Sequence, residues 1–118
     1  MTDVLEVESG RCEILTLVLK KKWFDLINAN EKRAEYRTAP SVCRQIDRWF
    51  GHARINGKFP IVKFCLGYQK NRATMYFLAG DVAIGSSSDS PGWGEPDGWH
   101  YSIPLICRAK IVQKKEGV

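Results

Sequence analysis

From Asn30 to Arg37 the chain reads Asn-Glu-Lys-Arg-Ala-Glu-Tyr-Arg, so Lys32, Glu35 and Arg37 bring an ammonium, a carboxylate and a guanidinium into one short stretch. On a strand, Glu35 and Arg37 share a face about 7 Å apart. As a binding site, Lys32 and Arg37 would meet phosphate, the arginine bidentately. Glu35 could then accept a hydrogen bond from an exocyclic amine such as that of cytosine. As a catalytic site for RNA cleavage, Glu35 would be the general base, and the two cations would stabilise the phosphorane. The same three side chains also make an ordinary surface ion-pair ladder, worth under about 1 kcal/mol per pair.

The elements that must position this trio are legible in outline. Residues 13–19 are short, apolar and partly β-branched, which predicts a buried strand. Residues 21–29 follow as a helix with Trp23, Leu26 and Ile27 on one stripe. Asn30 falls where the helix must end in a left-handed backbone, which asparagine tolerates. Residues 33–37 alternate as a strand. Pro40-Ser41 opens a second helix, with Ser41 as its cap and Gly51 as its end. Strands are expected at 61–68, 74–79, 81–84, 101–106 and 109–112. Between them, residues 85–98 form a long Ser/Gly/Pro/Asp-rich loop, longer than a mere connection needs. These pieces predict an α+β fold, mainly β: a curled barrel with two helices plugging it. The 118 residues make one domain, with residues 1–11 and 113–118 as flexible ends.

Charge narrows the partners. The net charge is +5, but residues 20–37 carry +3 and residues 44–72 carry +6, while residues 73–107 carry no Lys or Arg and are −4. That split suits a basic cleft beside an acidic loop, and a small nucleotide-like ligand better than a coated polynucleotide. The cysteines Cys12, Cys43, Cys65 and Cys107 are too scattered for a zinc site and are read as free thiols of a reducing cytoplasm. No metal or other cofactor is expected. The sequence shows no signal peptide and no run long enough to span a membrane. Tyr36, Tyr68, Trp93 and Trp99 are candidates for stacking on a base. Trp23 and Trp49 lie on apolar helix faces and are assigned to the core, while His52 and His100 are assigned structural roles.

Trp23-Phe24-Asp25-Leu26-Ile27 followed by Asn30-x-Lys32-x-x-Glu35-x-Arg37 resembles the signature of the ASCH (activating signal cointegrator homology) domain, a helix and then G-x-K-x-x-E-x-R, with Asn30 in place of the glycine. Phe64-x-x-Gly67-Tyr68-x-Lys70, Met75-x-Phe77, Ile84-Gly85, Trp93-Gly94-Glu95-Pro96 and Tyr101-x-Ile103-x-Leu105 extend the likeness to small stand-alone members from phages and bacteria. The resemblance implies a PUA-like curled β-barrel of five or six strands with about two helices. It also implies a cleft that binds RNA or a nucleotide through Asn30, Lys32, Glu35 and Arg37, with Tyr68, Lys70 and Trp93 as further ligand-binding candidates.

Two enzymatic alternatives accompany the binding reading, both with Lys32 and Glu35 as the catalytic candidates. One is a ribonuclease, an activity of some ASCH relatives. The other is an amidohydrolase acting on N4-acylated cytidine, whose pattern resembles this one at Lys32. It has a threonine where this chain has Glu35, and needs a later glutamate that the sequence does not place. A third alternative is a module that docks an acidic protein on the Lys20-Lys21-Lys22 run with Arg44, Arg48 and Arg54.

Overall fold

The computed structural model describes residues 4–113. Its strands are β1 (Val4–Glu8), β2 (Cys12–Leu19), β3 (Ala34–Arg37), β4 (Phe59–Leu66), β5 (Thr74–Ala79), β6 (Ala83–Gly85) and β7 (His100–Val112); its helices are α1 (Lys21–Asn28) and α2 (Pro40–Asn56). The fold is α+β and mainly β. The sheet runs β1-β7-β5-β4-β2, with β3 and β6 added along β7. β1 pairs parallel with β7 and β2 parallel with β4; the remaining pairs are antiparallel.

Two expected strands, 101–106 and 109–112, are one strand of 13 residues. β7 holds together by exchanging partners. Its first half pairs with β3 and β6, and its second half with β5 and β1. The exchange falls at Pro104-Leu105, beside a register shift between Leu78 and Ala79 in β5. A proline that donates no ladder bond is tolerated at such an irregularity. Around it, the Leu105 N–H donates to the Arg33 carbonyl at 2.9 Å and the Gly80 N–H to the Pro104 carbonyl at 2.8 Å.

The expected curled barrel of five or six strands is a curled sheet of seven that does not close, because β1 and β2 end the path without pairing to each other. Residues 1–11 were expected as a flexible end, yet Val4–Glu8 is a strand and Ser9–Arg11 a 3-10 turn. Alternating Glu6 and Glu8 conceal that strand in the sequence; only Val7 of β1 is buried. At the other end, residues 114–118 lie outside the described residues.

α1 inserts Phe24 and Ile27, and α2 inserts Ile46 and Trp49, into one core with Leu15, Leu17, Val62, Phe64, Phe77 and Ile103. β4 is covered on both faces, with Val62 and Phe64 in the main cluster and Ile61 in a smaller one with Val7, Cys12 and Ala109. That is why it reads as a nearly unbroken apolar run. α2 is longer than the sequence suggested: it passes through Gly51 and ends at Gly57, whose φ of 62° supplies the left-handed cap. Its start also differs, with Ala39 at the cap and Pro40 in the first turn, while Ser41 is inside the helix. The described cysteines are free thiols, with Cys12 and Cys65 buried and Cys43 and Cys107 half-buried.

Phe64 is fully buried and packs edge-on against Phe77 with ring centroids 6.0 Å apart. Phe64→Ala is expected to cost about 3–5 kcal/mol. Urea titration should show this as a lower midpoint at unchanged slope.

Candidate functional site

The turn after α1 delivers Lys32 to the interior. The Asn30 N–H donates to the Ile27 carbonyl at 3.0 Å, and the Glu31 and Lys32 N–H groups both reach the Leu26 carbonyl, at 3.0 and 3.1 Å. Asn30 adopts φ 60°, the left-handed conformation expected from its position. The chain then enters β3, whose pairing sets Glu35 opposite Ile103 and Arg37 opposite Tyr101 on β7.

The three charges meet as the spacing foretold, but they are not a surface ladder. Lys32 is 3% exposed and Glu35 5%. Lys32 Nζ donates to Glu35 Oε1 at 2.9 Å. Arg37 donates to Glu35 Oε2 through Nε at 2.9 Å and Nη2 at 2.8 Å. Arg37 Nη2 also donates to the Val18 carbonyl at 3.0 Å. Since β3 pairs with β7 and β2 is the far edge of the sheet, this last bond stitches the curled sheet across its gap with a side chain. Aromatic rings complete the surroundings of the ammonium: Lys32 Nζ lies 4.7 Å from the Trp23 ring centroid and 5.1 Å from that of Tyr36.

This arrangement limits what each group can do. Both Glu35 oxygens already accept from cations, so the carboxylate is held by Lys32 and Arg37 rather than presented to a ligand. The Lys32 ammonium is enclosed. Arg37 is about a quarter exposed and keeps Nη1 for a further partner. A lysine, a glutamate and an arginine also leave the cluster one positive charge in excess.

Two clefts flank the cluster. One, of about 240 Å³, has Val18, Lys20, Trp23, Glu35 and Arg37 on its walls. It meets a larger cleft of about 540 Å³ at Leu19 and Lys20, and there the turn between β4 and β5 contributes Tyr68, Lys70 and Arg72. Tyr68 is 86% exposed. Arg72 Nη1 is tied to the Gly67 carbonyl at 2.9 Å and Lys21 is paired with Asp25, but no described carboxylate pairs with Lys20 or Lys70. The other flanking cleft, of about 300 Å³, is lined by Glu31, Arg33, Tyr36, Ser90 and Trp93. The structure therefore brings Arg37, Tyr68 and Lys70 to adjoining clefts, and places Trp93 in a separate one.

The loop between β6 and β7 stands beside the same cluster. A Cβ on Gly94 would lie 3.0 Å from the Trp23 ring, so the loop backbone rests on that indole. Glu95 Oε1 accepts from the Asp89 and Ser90 N–H groups, and Oε2 faces His100 Nε2 at 3.1 Å. Burial raises the Glu95 carboxyl pKa, but those two N–H groups and His100 outweigh it, and the carboxyl titrates below its usual range. Burial, then the charge of Glu95, pushes the Tyr36 phenol upward against a hydrogen bond with Ser90; Glu35 adds to the rise. Trp99 is 74% exposed. Among the described residues, no group of three His, Cys, Asp or Glu side chains could hold a metal ion, and no helix is long and apolar enough to cross a membrane.

Several members of the site escape sequence reasoning. Trp23 is not purely a core residue: it half-covers Lys32. Arg72 carries no motif signal beyond the basic excess of residues 44–72, and Lys20 is visible only within the Lys20-Lys21-Lys22 run. His100 is structural, as expected, but its partner Glu95 is recognisable only in three dimensions. Compared with protein-family models, with characterised proteins and with solved structures, the chain finds no match.

Removing Lys32 takes away the donor to Glu35 Oε1 and leaves a buried carboxylate oxygen short of its hydrogen bond. Lys32→Met is expected to destabilise the fold by roughly 3 kcal/mol, whereas Lys21→Met, at an exposed pair, should cost under about 1 kcal/mol. Parallel denaturant titrations of the two variants measure the contrast.

Proposed function

We propose that this chain is an ASCH-like RNA-binding domain that takes single-stranded RNA, or one nucleotide of it, in the cleft between the start of α1 and the β4–β5 turn. The observation that carries the reading is Tyr68, a large aromatic standing 86% exposed in one cleft with Lys20 and Lys70, whose ammonium groups pair with no described carboxylate. A base stacks on such a ring whatever its identity, and the cations take the phosphates. At about 540 Å³ the cleft has the size of a nucleotide site. Arg37, through Nη1, extends the cationic track into the adjoining cleft. In this reading the Lys32–Glu35 pair organises the site rather than touching ligand, and Asn30 shapes the turn that places it. Trp93 belongs to the neighbouring cleft and would contact only a longer or bent ligand.

The enzymatic readings have less support. Ribonuclease chemistry needs Glu35 to release one of its cations before it can act as a base. Amidohydrolase chemistry needs a later glutamate beside Lys32, and Glu95 is engaged with His100 and its own loop. The acidic-protein reading has the exposed Arg44 and Arg48 in its favour, but no cleft with an exposed aromatic beside them.

The test is fluorescence anisotropy of a labelled single-stranded RNA titrated at several salt concentrations. If Lys20, Lys21, Arg37, Lys70 and Arg72 all meet phosphate, log affinity should fall against log salt with a slope of about −3.5 at most. Lys70→Ala should weaken binding and flatten that slope by about 0.7. Tyr68→Ala should lose about 1–3 kcal/mol of affinity with the slope kept. No binding at low salt, or both variants binding like the native chain, would sink the proposal.

A further inference from the structure

The segment from Asp89 to Glu95 braces both aromatic rings that enclose Lys32. Gly94 rests on the Trp23 indole, and Ser90 faces Tyr36 across the cleft that the two line together. The segment is itself held to the sheet by the contact between Glu95 and His100, the first residue of β7. We infer that residues 89–95 are a lid over the Lys32 ammonium, latched by the Glu95–His100 pair and released by loss of a proton from His100. This goes beyond the RNA-binding reading and does not depend on it.

The geometry of the imidazole carries the inference. Nδ1 lies 2.7 Å from the Gly98 carbonyl and Nε2 lies 3.1 Å from Glu95 Oε2. Both neighbours are acceptors, so both ring nitrogens must carry a proton for both bonds to exist, and only the imidazolium does so. When the ring is neutral, one bond is lost. If Nδ1 keeps its proton for Gly98, the Nε2 lone pair faces a carboxylate.

The remaining neighbours of the ring supply no substitute. β3 offers the Tyr36 ring, edge-on at 5.8 Å, with Lys32 and Glu35 beyond it. β6 offers Gly85, so close that a Cβ there would lie 2.9 Å from Nε2, and it carries no charge. His100 is 2% exposed, so water does not replace the lost partner in the closed state.

The direction with pH follows. Glu95 has its carboxyl held below the usual range and stays ionised, so the latch is closed whenever His100 holds both protons. It loosens as pH rises and His100 gives one up. An open lid would expose Lys32 between the two clefts as a further cationic contact for an anionic ligand.

Two measurements test this. At one fixed pH, the native chain and Glu95→Ala are treated with an amine-acylating N-hydroxysuccinimide ester and labelling is read by mass spectrometry. Lys32 is expected to react at least about 5-fold faster in the variant, with Lys20 and Lys70 unchanged as internal controls. If Glu95→Ala does not fold, Gly94→Ala, which crowds the Trp23 indole at a φ of 84°, takes its place. Separately, NMR amide protection factors for residues 89–95, corrected for intrinsic exchange, should fall about 10-fold between pH 5.5 and 8.5 in the native chain. In Glu95→Gln they should not fall, because the amide, its oxygen held by the Asp89 and Ser90 N–H groups, can only donate to the ring and so suits the neutral form. Unchanged Lys32 labelling in the folded variant, level protection in the native chain, or a Glu95→Gln protein as pH-sensitive as native would each overturn the inference.

Discussion

The bond from Arg37 to the Val18 carbonyl is the constraint on which the site depends. The sheet curls but its ends do not pair, and this side chain spans the gap between β3 and the β2 edge. To do so, the guanidinium must sit at the rim of the core, where a neighbouring carboxylate is needed to offset its charge. Glu35 provides it, and Glu35 in turn requires a second cation because its other oxygen is also buried. Lys32 is thus the third member of a chain of compensation that begins with sheet geometry. Burying this many charges is costly unless each is hydrogen-bonded. Here each is, with Trp23 and Tyr36 completing the enclosure of the ammonium.

That dependency separates two kinds of charge in one small domain. The motif residues Lys32 and Glu35 are spent on internal order. The charges available to a partner lie around them: Lys20, Lys70 and the remaining nitrogen of Arg37. The aromatic side chains divide in the same way. Trp23 and Tyr36 shield an ammonium, while Tyr68 stands in solvent. A rigid, saturated cluster beneath a row of free cations is a sound design for a binding surface, since preorganised groups lose little freedom when a ligand arrives.

How much of this was legible follows from the range of the interactions involved. The grouping of Lys32, Glu35 and Arg37 is local, set by one turn and one strand, and the spacing revealed it; so did the left-handed Asn30. The burial of that group was not legible, because a Lys-x-x-Glu-x-Arg run has the composition of a solvated face, and only the packing of Trp23 and the β6–β7 loop encloses it. β5 lies where its alternation put it. β7 was divided in two because Pro104, Cys107 and Arg108 interrupt the pattern where the strand changes partners, and a change of partners leaves no periodic trace. β1 was missed because only one of its residues is buried. Of the cleft's cations, Lys70 was named through the family resemblance and Lys20 within a run of lysines, whereas Arg72 was visible only as a regional charge excess, since surface residues answer to no local rule.

The partner exchange along β7 also bears on the order in which the molecule can be built during synthesis. β1, β3, β5 and β6 all pair with β7, and β7 follows every one of them in the chain. The nascent polypeptide can assemble β2, β4 and β5 with the two helices, but β1 must wait unpaired until a strand 104 residues away, at Val4 opposite Arg108, has been translated. A chain of this kind exposes strand edges throughout its elongation and acquires its cooperative sheet in one late step. Translation pauses or truncations before β7 would therefore leave a sticky, half-assembled intermediate rather than a smaller version of the domain.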